Sequence, residues 1–186
     1  MRIFSLLSLI ICVALFFGCS GSQPAGGGDN EAPAPAAAAG PQIHGNLAQV
    51  MQGILYPASN IIFAAQDENP ADVKPAPNPP TSPNLLSSSF GGWLAVENSG
   101  LALVEAANLI TMPGRKCANG RDVPIESADW KMFVQGLRDA GMATYKAAQS
   151  KNQDNIFEAT DKVATACQNC HDRYREKPAG EADRCM

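Results

Sequence analysis

Near the end of the chain stand two cysteines three positions apart, with a histidine directly after the second: Cys167-Gln168-Asn169-Cys170-His171. The order C-x-x-C-H reads as a covalent attachment site for haem c. On a helix, residues three apart lie on one face, about one turn from each other. Both sulfurs can then reach the two vinyl groups of a single haem, and His171 follows as the proximal iron ligand. Two other chemistries use cysteines at this spacing. A thioredoxin-like dithiol sits at a helix start beside a strand, where the helix dipole lowers a thiol pKa. Here the pair lies late in a helical pattern, and no stretch of the sequence alternates as a strand would. A zinc site would need a fourth donor beside Cys167, Cys170 and His171, drawn from His44, Cys117, Cys185 or a carboxylate. With His171 used and His44 standing alone, no hydrolytic triad can be assembled. Gly26-Gly27-Gly28 precedes neither a strand nor a helix, so it is no phosphate loop. The chain is expected to carry a cofactor rather than to be an enzyme.

Four segments with helical periodicity must position these residues. The first runs from about His44 to Gln66, with Leu47, Met51, Ile54, Ala58 and Ile61 as its apolar seam. The second runs from about Phe90 to Ile110, with Trp93, Val96, Gly100, Leu103, Ala107 and Ile110 on one face. The third starts at Ser127, expected as its N-cap, with Asp129 in the first turn. Its seam is Trp130, Phe133, Leu137, Gly141 and Thr144. The fourth runs from about Asp154 to Arg175, and its seam is Ile156, Thr160, Val163, Cys167, Cys170 and Tyr174. The two cysteines therefore continue the apolar stripe of the last helix. Pro70 to Pro83 and Pro113 to Pro124 read as irregular connections. The join around Ser150 to Gln153 is short, which makes the last two helices antiparallel neighbours. The expected architecture is all-α, an antiparallel four-helix bundle with its cofactor between helices near the C-terminal one.

The N-terminal part places this domain in a compartment. Residues 1–18 carry Arg2 and an apolar run from Ile3 to Phe17, too short to favour a bilayer span of about 20 residues and better read as a signal segment. Gly18 directly before Cys19 resembles a bacterial lipoprotein cleavage site, although Phe16 stands where such sites usually carry Leu. The resemblance implies cleavage before Cys19 and a lipid on it; the alternative is an ordinary secretory signal. Either way the domain is exported to the periplasm. Residues 19–42 are nearly all Gly, Ala, Pro, Ser and Gln and cannot bury enough apolar surface to fold, so they read as a tether to the membrane. Residues 43–186 form one domain.

The chain of 186 residues has 14 Lys and Arg against 18 Asp and Glu, a net charge of -4. That balance argues against a nucleic-acid partner, which favours a basic face. It is compatible with docking to a basic redox partner. Of the 6 cysteines, Cys12 leaves with the leader, Cys19 takes the lipid, and Cys167 and Cys170 take the haem. Cys117 and Cys185 remain, and in an oxidising compartment such a pair favours a disulfide over two free thiols. Closing a loop of about 70 residues stabilises by roughly 4 kcal/mol in the chain-entropy account.

With one attachment site on the last of four helices, the run Cys167-Gln168-Asn169-Cys170-His171-Asp172-Arg173-Tyr174-Arg175 resembles the cytochrome c′ family, the class II c-type cytochromes. In that family an aromatic three residues after the haem histidine and an arginine four after it are usual, and Tyr174 and Arg175 fit. The resemblance implies that Arg175 lies near the haem; alone, it is also a surface cation suited to a helix C-terminus. In the family the sixth iron position faces the first helix. Five-coordinate members place Leu or another apolar residue there, and low-spin relatives place Met after an Arg and three residues. The matching stretch is Leu47-Ala48-Gln49-Val50-Met51, with Leu47 in place of the Arg. The resemblance thus implies Met51 as distal ligand, a pairing with His that raises the reduction potential. Pro57 is expected to kink this helix near Gly53, and His44 is expected at the surface. The implied function is electron transfer by a single-haem carrier. The alternative is a five-coordinate protein that binds NO or CO. Family members often pair through their first two helices, so a homodimer is a further possibility.

Overall fold

The computed structural model describes residues 40–176 together with Pro178, Gly180, Arg184 and Cys185. The signal segment, Cys19 and the tether up to residue 39 lie outside the described residues. Asn46 and Gln49 start the first helical run by capping each other. The Asn46 side chain accepts from the Gln49 amide at 2.9 Å, and the Gln49 side chain accepts from the Asn46 amide at 2.9 Å. This reciprocal cap starts α1, Leu47–Val50, three residues later than His44. The run then passes through a π turn, Met51–Leu55, into α2, Tyr56–Asp67.

The π turn has a local cause. Pro57 lacks the N–H that would bond the carbonyl of Gly53. The chain responds with a wider turn in which the Tyr56 amide reaches back five residues to the Met51 carbonyl. One extra residue per turn rotates everything after it. The expected seam at Ile54 is therefore wrong: Ile54 is 37% exposed, and Leu55 takes the inward position at 8%. Ala58 stays inward, and Ile62 replaces Ile61 in the core.

Helix α3, Trp93–Leu109, begins three residues later than Phe90. Gly92, at φ 59, holds a backbone conformation outside the helical range. Helix α4, Ala128–Ser150, begins after Ser127. Helix α5, Gln153–His171, runs directly into a second π turn, Asp172–Glu176. Between α4 and α5 the chain turns through Lys151, in the left-handed region at φ 52. Asn152 then caps α5 by accepting from Asp154 at 2.8 Å and Asn155 at 3.2 Å.

The four helical segments pack against one another and, among the described residues, no strand forms. Much of the core comes from the last three stripes read from the sequence: Val96, Leu103, Ala107, Trp130, Thr144, Ile156, Thr160 and Val163 are all nearly inaccessible. Helices α3 and α4 touch backbone to backbone. A Cβ on Gly100 would stand 2.7 Å from the Tyr145 nitrogen and 2.9 Å from the Gly141 oxygen; one on Gly141 would stand 2.8 Å from the Gly100 oxygen. Only the missing side chain permits that approach. No described helix is long and apolar enough to cross a membrane.

The end of the molecule that carries His171 is braced by the connection before α4. Arg115 is buried, 4% exposed. It donates to the Leu109 carbonyl at 2.6 Å, at the end of α3, and to the Gly45 carbonyl at 2.6 Å, just before α1. The Leu47 amide donates to the Lys116 carbonyl at 2.8 Å. Cys117 in this connection is disulfide-bonded to Cys185, with Cα atoms 5.0 Å apart. The Cys185 amide donates to the Tyr174 carbonyl at 2.8 Å, so Cys185 lies against the second π turn.

Candidate cofactor site

Cys167, Cys170 and His171 occupy the last turn of α5, and Met51 opens the π turn of the first run. All four line one cavity of about 370 Å³. Its walls are mostly apolar: Leu55, Phe63, Leu103, Ile110, Phe133 and Leu137. A second cavity of about 230 Å³ adjoins it and shares Met51, Gln52, Cys170, His171 and Arg175. Leu47, Ala48, Trp130, Tyr174 and Cys185 complete the second one. Pockets of a few hundred cubic ångströms, largely apolar with a few convergent polar groups, are the usual form of a small-ligand or cofactor site.

Both cysteines are half-buried free thiols packed against the core. Burial pushes the Cys170 thiol up to about 12, with the Cys167 sulfur and the Asp129 carboxylate adding to the effect. Burial also raises Cys167, against the pull of the Arg175 charge. Neutral thiols in an apolar wall do not suit a redox dithiol, which needs a lowered pKa. The donors nominated for zinc do not assemble either. Cys117 and Cys185 are bonded to each other, and His44 is exposed ahead of α1. Among the described residues no group of three or more His, Cys, Asp or Glu side chains could hold a metal ion. His171 is held below its ordinary value by burial first and then by Arg175, which favours the neutral ring with a free lone pair.

The residues present therefore fit a covalently held haem. Two thiols and a neutral imidazole from α5 line the same cavity as a thioether from a different helical run. The donor set is one nitrogen and one thioether sulfur, both of which suit haem iron.

Beneath Cys170 lies a polar knot that links α4 to the second π turn. Tyr174 donates its hydroxyl hydrogen to Asp129 at 2.6 Å. Arg173 reaches the other Asp129 oxygen at 3.1 Å and also covers the Tyr174 ring at 5.2 Å. Ser127 does not cap α4 with its side chain; its hydroxyl donates to the Pro124 carbonyl at 2.8 Å and lies 3.0 Å from the Tyr174 hydroxyl. Tyr174 is also packed edge-on against Trp130 and Phe133, with centroids 5.0 and 6.3 Å apart. The Tyr174 bond, first among several influences, holds Asp129 below its ordinary 3.8. Arg175 lines both cavities and pairs with its neighbour Glu176 at 2.5 Å.

Sequence reasoning named Cys167, Cys170, His171, Met51 and Arg175, and the structure brings all five around one pair of cavities. It missed the roles of Asp129 and Trp130 there, because their partners lie more than forty positions away. No protein-family model, no curated protein and no solved structure matches this chain.

Proposed function

We propose that this chain is an exported single-haem c-type cytochrome that carries electrons, built as an antiparallel four-helix bundle of the cytochrome c′ kind. The observation that carries it is the shared cavity of Cys167, Cys170, His171 and Met51. Cys167 and Cys170 would hold the porphyrin through thioether links to its two vinyl groups. His171 offers its lone pair from one helix and Met51 its sulfur from another. Bound haem supplies one-electron chemistry between ferrous and ferric iron. The chain sets the potential through these two ligands and keeps water out with Leu55, Phe63, Leu103 and Phe133. No substrate is turned over. In this proposal Cys19 carries the lipid, and residues 19–42 tether the domain to the membrane within reach of a protein redox partner.

The apolar lining that surrounds Met51 in the cavity also favours a second use, the capture of NO or CO at an open sixth position. One experiment separates the two. The exported protein is expected to be coloured, with a mass equal to polypeptide, lipid and one haem. Its ferrous spectrum is expected to be low-spin, and Met51→Ala is expected to make it high-spin. A high-spin parent spectrum that Met51→Ala leaves unchanged would favour gas binding. A colourless protein would end both.

A further inference from the structure

Trp130 is 1% exposed and lines the smaller cavity beside Leu47, Met51, His171 and Arg175. Its ring is fixed edge-to-face against Tyr174. Yet its Nε1–H has no hydrogen-bond partner among the described residues. Leaving such a donor buried and unmatched costs on the order of 1–3 kcal/mol, and native proteins satisfy the large majority of buried side-chain donors. The Tyr174 ring meets it edge-on, but the Tyr174 hydroxyl is engaged with Asp129 and Ser127 and makes no hydrogen bond to the indole. An acceptor brought by a ligand answers the vacancy. That ligand must fit an apolar wall and carry an oxygen acceptor, and Arg175 in the same cavity favours a negative one.

A haem has this character, with two propionate carboxylates on the edge opposite its vinyl groups. The wall residues are divided in the same sense. Cys167 lines the larger cavity and not the smaller, Trp130 lines the smaller and not the larger, and Cys170 lines both. We infer that Trp130 donates its Nε1–H to one propionate carboxylate of the haem held by Cys167 and Cys170. This contact rests on the haem proposal above. It makes Trp130 a cofactor-orienting residue as well as a core residue.

The test uses the haem-loaded protein. In the low-spin ferrous state, which is diamagnetic, the Trp130 Nε1 proton is expected to show a through-space NMR cross-peak to the propionate methylene protons. Trp130→Phe keeps an aromatic ring and removes the donor. It is expected to shift the propionate bending band in the resonance Raman spectrum while the spin-state bands stay in place. It is also expected to lower the reduction potential, because an unmatched carboxylate charge favours ferric iron. Absence of the cross-peak, or a Trp130→Phe protein whose propionate band and potential equal the parent's, overturns the inference and leaves covalent haem standing. A protein that carries no covalent haem is recognised beforehand by colour and mass, and it removes both proposals together.

Discussion

Tyr174 shows how much one side chain can hold. It closes the core between Trp130 and Phe133, ties the second π turn to α4 through Asp129, and accepts the tail through its carbonyl. Burial, and then the bond to Asp129, push its phenol up to about 12. Its value in the unfolded chain is about 10. A folded-state value above the unfolded one means stability that is complete below about pH 10 and lost as pH rises towards 12. Tyr174→Phe is expected to cost about 1–3 kcal/mol near neutrality, the scale of a hydrogen bond to a charged acceptor. It is also expected to flatten the alkaline limb of the urea midpoint plotted against pH; equal alkaline slopes in parent and variant would count against this account. Asp129 works at the opposite end of the scale. Its lowered value gives stability that is present above its ordinary 3.8 and lost as the pH falls below that. The sequence marked Tyr174 twice, as a seam position and by its distance from His171. It could not mark Asp129, because the two are 45 positions apart and an acidic residue in a first helical turn already has an ordinary explanation.

At the scale of elements, most helices were legible because apolar spacing at three and four residues is a direct record of which face is buried. The first run was legible only up to the π turn. A seam counted in α-helical steps cannot register one inserted residue, so Ile54 and Ile61 were expected where Leu55 and Ile62 lie. Pro57 was the local mark of the break, and it located the break without giving its form. π turns inside helices often accompany functional positions, and this one begins at Met51. Pro57→Ala restores a donor for the Gly53 carbonyl and favours an ordinary α turn across Met51–Leu55. Thermal stability is expected to hold or rise. Met51 is expected to rotate away from the cavity, and the ferrous spectrum of the loaded protein is expected to gain high-spin character. A more stable variant with an unaltered spectrum would show that the π turn does not position Met51.

Over the whole molecule, the end that holds the site is fastened by contacts between distant parts of the chain. Arg115 joins the end of α3 to the approach to α1, and the Cys117–Cys185 bridge joins the tail to the same connection across a separation of 68. Replacing both cysteines by alanine is expected to cost about 2–5 kcal/mol, read as a lower midpoint in urea. Parent protein treated with reductant is expected to fall to the same midpoint. Cys185 also lines the smaller cavity, so the double variant is expected to loosen one wall of the site without touching Cys167 or Cys170.

The contact of α3 with α4 has a different consequence. Gly100 and Gly141 meet where any side chain would strike main-chain atoms, and they lie outside both cavities. In the function proposed above, glycine at 100 and 141 serves packing, and cysteine at 167 and 170 serves the haem. A library of random variants sorted only for resistance to protease would keep glycine at 100 and 141 and let cysteine drift at 167 and 170. The same library sorted for pigment would hold all four, so comparing the two survivors' lists separates what builds this protein from what it is built to carry.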